Sequence, residues 1–176
     1  MQKMNINKFD QQMYENTEKE NDFYPPNAAN EISLRYKFAT SHCINKKILE
    51  VGPGNGYGCK ALISNAKNYK AIEFSENNVK EFKSKFPLND IFHGDFLKYK
   101  LPSKSKFDCI VSLANIYYFD FHQFLKKCNE LIENQGLLIF CTSNKLFPNF
   151  KSAEHTTKYY DLEDLSEILK KNNYTP

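Results

Sequence analysis

The chain has 176 residues, of which 41% are hydrophobic and 26% charged, and its 24 basic and 21 acidic residues leave a formal net charge of +3. At about 100 to 200 residues per domain this is one globular domain that can bury roughly 70% of its unfolded surface, which excludes a wholly disordered chain, a collagen and a disulfide scaffold. Arg35 is the single arginine, and without a basic stripe or an arginine cluster the composition speaks against a nucleic-acid partner.

The amino terminus, MQKMNINKFDQQMYEN, is polar where a signal peptide needs an apolar stretch, and no run of about 18 apolar residues exists to span a membrane. The expected location is therefore cytoplasmic, with no membrane partner. Cys43, Cys59, Cys109, Cys128 and Cys141 lack CxxC or Cys/His ligand spacing, so no metal site is expected. Cys109 and Cys141 sit in apolar runs as small hydrophobes.

Residues 1–30 are rich in Asn, Glu and Lys with Pro25-Pro26 near their end, and read as an arm or lid; residues 31–176 form the domain. A helix is expected from Ala28 to Ser41, with Ile32, Leu34, Tyr36, Phe38 and Ala39 as its imperfect apolar pattern and Asn27 or Asn30 as its cap. Lys47 to Val51 is the first strand, ending in a glycine cluster. A helix from about Tyr57 to Ala66, a strand at Tyr69 to Phe74, and a helix capped by Ser75 and carrying Val79, Phe82 and Phe86 follow. A brief strand at Ile91 to His93 leads to Gly94-Asp95. Phe107 to Leu113 is a continuous apolar run, as expected of a strand buried on both faces.

Asp120 with Gln123 three residues later starts a helix carrying Phe121, Phe124, Leu125, Cys128, Leu131 and Ile132, and Gly136 closes it. Leu137 to Cys141 is the fifth strand. Asp161 caps a last helix with Leu162, Leu165, Ile168 and Leu169. Strands alternating with helices imply an α/β fold whose sheet is mostly parallel, wound by right-handed crossovers.

The cluster Glu50-Val51-Gly52-Pro53-Gly54-Asn55-Gly56-Tyr57-Gly58 lies between the first strand and the next helix, where an open α/β sheet binds ligands. Glycines there let the backbone approach a ligand closely. A P-loop needs Gly-Lys-Ser/Thr, but the chain has Gly58-Cys59-Lys60-Ala61. The dinucleotide fingerprint G-x-G-x-x-G also fails, since its third glycine would fall on Tyr57 or Cys59, which weakens a nicotinamide reading.

What remains is E-x-G-x-G-x-G, then Glu73 at the end of the second strand and Gly94-Asp95 at the end of the third. With ILEVGPGNGYG, AIEFS, GDF and FDCIVSLANIYYF in this order, the chain resembles the class I S-adenosylmethionine-dependent methyltransferases over about Arg35 to Tyr174. Arg35-Tyr36-Lys37-Phe38-Ala39, ahead of the first strand, resembles the small-molecule and glycan-associated members. The resemblance implies a Rossmann-like three-layer sandwich of strand order 3-2-1-4-5, here without the family's usual last two strands. That leaves Leu137 to Cys141 as an apolar edge, open to a homodimer partner, to the amino-terminal arm, or to strands lost by truncation.

The resemblance also implies S-adenosylmethionine as cofactor. Glu73 would accept from its ribose hydroxyls, and Phe74 or its neighbour would face the adenine. Asp95 would accept from the adenine amino group while the Phe96 N–H donates to the ring. Glu50, the loop Gly52, Gly54 and Gly56, and the backbone around Leu113 to Asn115 would organise the methionine end, with Tyr57 beside them and Arg35 facing the cofactor carboxylate. Each has a plain structural alternative: a solvated strand end for Glu73, a turn residue for Asp95, packing on the sheet for Tyr57.

Methyl transfer needs alignment more than acid–base groups, although a hydroxyl acceptor profits from a base. His155, Tyr117, Tyr118, His93 and His42 are the candidates, the first three placed nearest the acceptor. Tyr117-Tyr118 stands where related sequences commonly have Glu-His. The absence of an Asn/Asp-Pro-Pro-Tyr motif after the fourth strand speaks against nucleobase amino groups. The leading expectation is methyl transfer to a small-molecule or sugar-like acceptor, with an inactive cofactor-binding module or a nicotinamide-dependent oxidoreductase as alternatives.

Overall fold

The computed structural model describes residues 26–102, 105–148, 150–152 and 156–175, with side chains from residue 30. The first helix, α1, spans Pro26–Cys43. It starts earlier than the sequence suggests because proline suits the first helical position, where its missing N–H is not needed. Asn27 and Asn30 are therefore inside the helix, not at its cap, and residues 26–30 are helical. The rest of the expected arm, 1–25, lies outside the described residues.

The imperfect apolar pattern of α1 resolves into a clean stripe. Ile32, Ala39 and Cys43 are buried, and Tyr36 packs against the same core, a spacing of four, three and four residues that keeps one helical face inward. Leu34 and Phe38 point outward instead, 64% and 61% exposed.

The strands are β1 (Lys47–Val51), β2 (Asn68–Glu73), β3 (Asp90–His93), β4 (Phe107–Leu113) and β5 (Ile132–Cys141). They form one sheet in the order β3-β2-β1-β4-β5, and every neighbouring pair is parallel. The helices between them are α2 (Lys60–Asn65), α3 (Glu76–Lys85) and α4 (Phe121–Leu131), with α5 (Leu162–Lys171) last.

Two apolar layers flank the sheet. Ile48, Leu62, Tyr69, Val79 and Phe82 lie in one, with Ala39 and Cys43 of α1. Leu49, Val51, Ile72, Ile110, Phe121 and Phe124 lie in the other. Side chains alternate across a strand, so Glu50 shares a face with Ile48 and turns toward α1 and α2.

Capping follows the sequence closely. Ser75 accepts from the Asn78 N–H, Asp120 from the Gln123 N–H, and Asp161 forms a full capping box with Asp164. Three expectations need correction. The helix expected from Tyr57 begins at Lys60, because the Asn55 side chain accepts from the Tyr57 N–H and holds a turn there. Gly136 does not close α4: the helix ends at Leu131, and Ile132 is already extended and paired with Phe107. The register then jumps to Cys109↔Leu137, so the residues up to Gly136 form a bulge in which Gln135 carries the positive φ of 63°. Leu162 opens α5 82% exposed, whereas Leu165, Ile168 and Leu169 pack inward.

All five cysteines are free; Cys109 is buried and Cys141 half-buried. Among the described residues β5 ends the sheet without a further strand, and its Leu137 is 44% exposed. Among the described residues no helix is long and apolar enough to cross a membrane, and no cluster of ligating side chains could hold a metal ion.

Candidate functional site

A cavity of about 550 Å³ opens over the carboxyl ends of β1, β2 and β4, within the usual range of about 300 to 1,000 Å³ for small-molecule sites. Parallel strands place their C-terminal tips and the loops after them along one edge, so residues remote in sequence converge there. Val51, Gly52, Pro53, Gly54, Tyr57 and Gly58 contribute the floor.

The glycine loop is held from three sides. Gly52 and Gly54 adopt φ of 68° and 60°, which favours glycine, and the Gly52 N–H donates to the Ile72 carbonyl at 2.9 Å. The Asn115 side chain donates to the carbonyls of Val51 and Gly52, while the Ser112 hydroxyl donates to its Oδ1. A Cβ on Gly52 would lie 2.0 Å from Asn115 Nδ2. Asn55, itself buried, donates to Glu81 Oε2 at 3.0 Å and ties the loop to α3.

Glu73 stands at the tip of β2, only 5% exposed, yet it lines the cavity. Its carboxylate accepts from the Gly54 N–H at 3.0 Å and the Ser75 N–H at 2.8 Å, with Asn78 Nδ2 at 3.4 Å. Those bonds orient the acid. Phe74 and Asp95 line the cavity beside it. Asp95 accepts from the Leu97 N–H at 2.9 Å and pairs with Lys98 at 3.0 Å, so it organises its own turn as well. Phe96 contributes to the wall, but its ring is in the core against Phe119 and Phe124.

Leu113, Ala114 and Asn115 complete the wall at the tip of β4. Ala114 holds φ at 58°, an uncommon conformation for a side-chain-bearing residue. The next turn, a short 3₁₀ helix at Ile116–Tyr118, brings Tyr117, Tyr118, Phe119 and Asp120 to the mouth. Tyr117 stacks on Tyr159 at 4.8 Å between ring centres. Burial pushes the Tyr118 hydroxyl pKa up, with Tyr159 adding to the shift.

Two of the residues expected at the cofactor do not line the cavity. Gly56 faces α3 instead, where a Cβ would come within 2.8 Å of Phe82 and 2.9 Å of Phe86. Glu50, 1% exposed, is turned by the strand alternation toward Tyr36, whose hydroxyl donates to Oε1 at 2.7 Å. Tyr69 donates to Oε2 at 2.6 Å and the Cys59 thiol approaches it at 3.5 Å. Burial raises the Glu50 pKa, against the pull of its hydrogen-bond donors.

Of the candidate bases, His42 and His93 are exposed and outside the cavity lining. His155 lies outside the described residues. Sequence reasoning missed Thr157, whose hydroxyl is 2.6 Å from the Phe119 carbonyl and 3.0 Å from that of Tyr117, and whose N–H donates to Tyr117 at 2.7 Å. Nothing local marks it. Tyr36 had a signal, its place in Arg-Tyr-x-Phe-Ala, but not its partner.

A wound parallel sheet with a glycine loop after β1, an oriented acid at the tip of β2 and an aspartate after β3 is the arrangement expected of the S-adenosylmethionine-dependent methyltransferases that the sequence resembles. The family model described as a methyltransferase domain matches residues 49–140, more than half of the chain, and the chain belongs to this family. A protein named "probable S-adenosylmethionine-dependent methyltransferase" from Mycolicibacterium smegmatis is 25% identical over 142 residues, 77% of this chain and 54% of its own length. A protein named ribosomal RNA small subunit methyltransferase A, from Mycoplasmopsis synoviae, is 26% identical over 146 residues, 75% of this chain and 55% of its own. The chain thus spans about half the length of these relatives. The solved N-methyltransferase NodS of Bradyrhizobium japonicum, in complex with S-adenosyl-L-homocysteine, shares the fold at a TM-score of 0.65 and 15% identity, covering 78% of this chain and 72% of that one.

The cavity fits the cofactor of this class. A carboxylate fixed at the β2 tip suits a pair of ribose hydroxyls, Phe74 offers an apolar face to a purine, and the glycine loop leaves backbone exposed along the floor.

Proposed function

We propose that the protein transfers a methyl group from S-adenosylmethionine to a small-molecule or sugar-like acceptor. The observation that carries the reading is the junction of two environments in one cavity: the oriented carboxylate of Glu73 within it, and the aromatic mouth at Tyr117, Tyr118 and Phe119. Glu73, Asp95, the Phe96 N–H and Phe74 would hold the adenosine part. Gly52, Gly54, Tyr57, Arg35, Leu113 and Asn115 would hold the amino-acid part.

Bound S-adenosylmethionine supplies an electrophilic methyl group on a sulfonium centre, which leaves the chain mainly to align and to exclude water. Tyr117 and Phe119 wall the mouth, and Thr157 secures the backbone that carries them. Tyr118 orients an acceptor through its hydroxyl. His155, outside the described residues, is proposed as the base for a hydroxyl acceptor.

Two observations favour a small acceptor over RNA. The cations lining the cavity among the described residues, Arg35 and Lys98, are each paired with a carboxylate, Glu31 and Asp95, so that lining offers phosphates no unpaired cation. Asn115-Ile116-Tyr117-Tyr118 also lacks the prolines of the nucleobase-amino motif. The ribosomal RNA methyltransferase relative is the observation on the other side.

Titration calorimetry with S-adenosylmethionine, S-adenosylhomocysteine and NADH tests the cofactor, and transfer of labelled methyl to sugars, small amines, phenols and a ribosomal RNA fragment tests the acceptor. Adenosyl-ligand binding with transfer to a small acceptor supports the reading. Transfer to RNA alone replaces the acceptor class, binding without any transfer identifies an inactive binding module, and binding of NADH alone overturns the methyltransferase assignment.

A further inference from the structure

We infer that Tyr36 is a positioning residue: its hydroxyl pins α1 to Glu50 on β1, and this places Arg35, the preceding residue of the same helix, in the cofactor end of the cavity. The inference rests on reading that cavity as an S-adenosylmethionine pocket.

Among the described side chains, three of α1 line the cavity, Ile32, Arg35 and Tyr36. Ala39 and Cys43, both fully buried, anchor the last turns of the helix. Nearer the cavity Leu34 and Phe38 point outward, while Ile32 and Tyr36 face inward. The Tyr36 ring lies over Gly58, where a Cβ would approach ring atoms to 2.1 Å. Its hydroxyl reaches Glu50 at 2.7 Å. Glu50 is itself anchored without α1, since Tyr69 of β2 holds its other oxygen at 2.6 Å. The sheet therefore presents a fixed acceptor, and Tyr36 is the polar bond by which α1 takes it.

Arg35 follows from this geometry. A residue adjacent on a helix points about 100° away, so a helix held at Tyr36 keeps the root of the Arg35 side chain at the wall of the cavity. Glu31 pairs with it at 3.3 Å, one turn earlier. A guanidinium is the side chain best shaped to grip a carboxylate with two parallel bonds, and the amino-acid end of S-adenosylmethionine carries one. A buried Glu50 thus acts on the cofactor through Tyr36 and α1 rather than by contact.

The test is a double-mutant cycle in the purified full chain, read as S-adenosylhomocysteine affinity by calorimetry. Tyr36→Phe removes only the hydroxyl and should weaken binding roughly tenfold, as should Arg35→Ala, while the double variant should bind no more weakly than Arg35→Ala alone. Tyr69→Phe removes the equivalent bond to Glu50 from the sheet side, and should lower the melting temperature without a comparable loss of affinity. Should Tyr36→Phe fail to fold, hydrogen exchange in the unaltered chain still decides: the ligand should slow exchange along residues 30–43, and no slowing there overturns the inference. Wild-type affinity in Tyr36→Phe, full additivity with Arg35→Ala, or an equal loss in Tyr69→Phe would each overturn it as well. An unaltered chain that binds no adenosyl ligand overturns the reading of the cavity, and this inference with it.

Discussion

Asn115, at the tip of β4, donates its side-chain amide to the carbonyls of Val51 and Gly52, at the tip of β1 sixty-odd residues earlier. Its own carbonyl oxygen is held in turn by the Ser112 hydroxyl. The glycine loop is therefore clamped by a neighbouring strand, and a clamped loop spares a ligand much of the ordering cost of binding.

Replacing Asn115 tests the clamp. Asn115→Ala should destabilise the fold by about 1–3 kcal/mol, because the carbonyls of Val51 and Gly52 lose their donor, and should weaken S-adenosylhomocysteine binding. Asn115→Asp should be worse than Ala on both counts, since a carboxylate would face two carbonyl oxygens. Urea unfolding and calorimetry on the pair decide it; an Asp variant as stable as Ala would show that the amide is not the clamp.

Glu73→Ala should weaken S-adenosylhomocysteine about 10- to 100-fold, as expected for losing charge-assisted bonds worth about 1.5–3 kcal/mol. Part of any stability loss would come from the Gly54 and Ser75 N–H groups that Glu73 accepts from. Glu73→Gln keeps acceptor capacity without the charge and should fall between. Unchanged affinity in Glu73→Ala would remove this residue from the cofactor site.

Burial of Glu50 predicts a specific pH response. Its folded pKa is raised, so between the ordinary glutamate value of about 4.3 and the raised value the folded chain binds more protons than the unfolded one. Stability from this group is full below that window and falls as the pH rises through it. Glu50→Gln, which cannot ionise, should flatten this part of the profile. Urea midpoints measured from about pH 4 to about pH 8 compare the two; parallel profiles would count against the assignment.

Thr157→Val keeps the shape but removes the hydroxyl that lies beside the carbonyls of Tyr117 and Phe119. Once an acceptor is identified, its KM should rise several-fold with a smaller effect on S-adenosylhomocysteine affinity, because the loosened segment forms the mouth rather than the floor. Thr157→Ser should restore the wild-type KM. An effect on the cofactor alone would place Thr157 at the other end of the site.

Much of this architecture was legible in the order of residues alone. Strand order 3-2-1-4-5 came from the family resemblance that the motifs carry, and the caps at Ser75, Asp120 and Asp161 are legible because a cap is a local bond within three residues. The apolar run from Phe107 to Leu113 marked a doubly buried strand for the same kind of reason: burial on both faces is a property of each residue in it. Glu73, Asp95 and the loop Gly52–Gly54 stood at strand ends, and the parallel sheet brings them to one cavity.

The remainder depended on partners distant in the chain. The outward turn of Leu34 and Phe38 is set by which face of α1 meets the sheet. Gly136 resembled a helix terminator, but pairing of Ile132 with Phe107 ended α4 first and left the glycine in a bulge. Glu50 carried the acid of the family motif, and only the tertiary structure decided that its carboxylate would be enclosed by Tyr36, Tyr69 and Cys59 instead of facing the cavity. Periodicity, capping and turn chemistry act over a few residues, so sequence by itself determined the elements and their order. Bonds such as Tyr36 to Glu50, Asn115 to Val51 and Thr157 to Phe119 join segments whose proximity exists only once the sheet has formed, and they decided how the site is held.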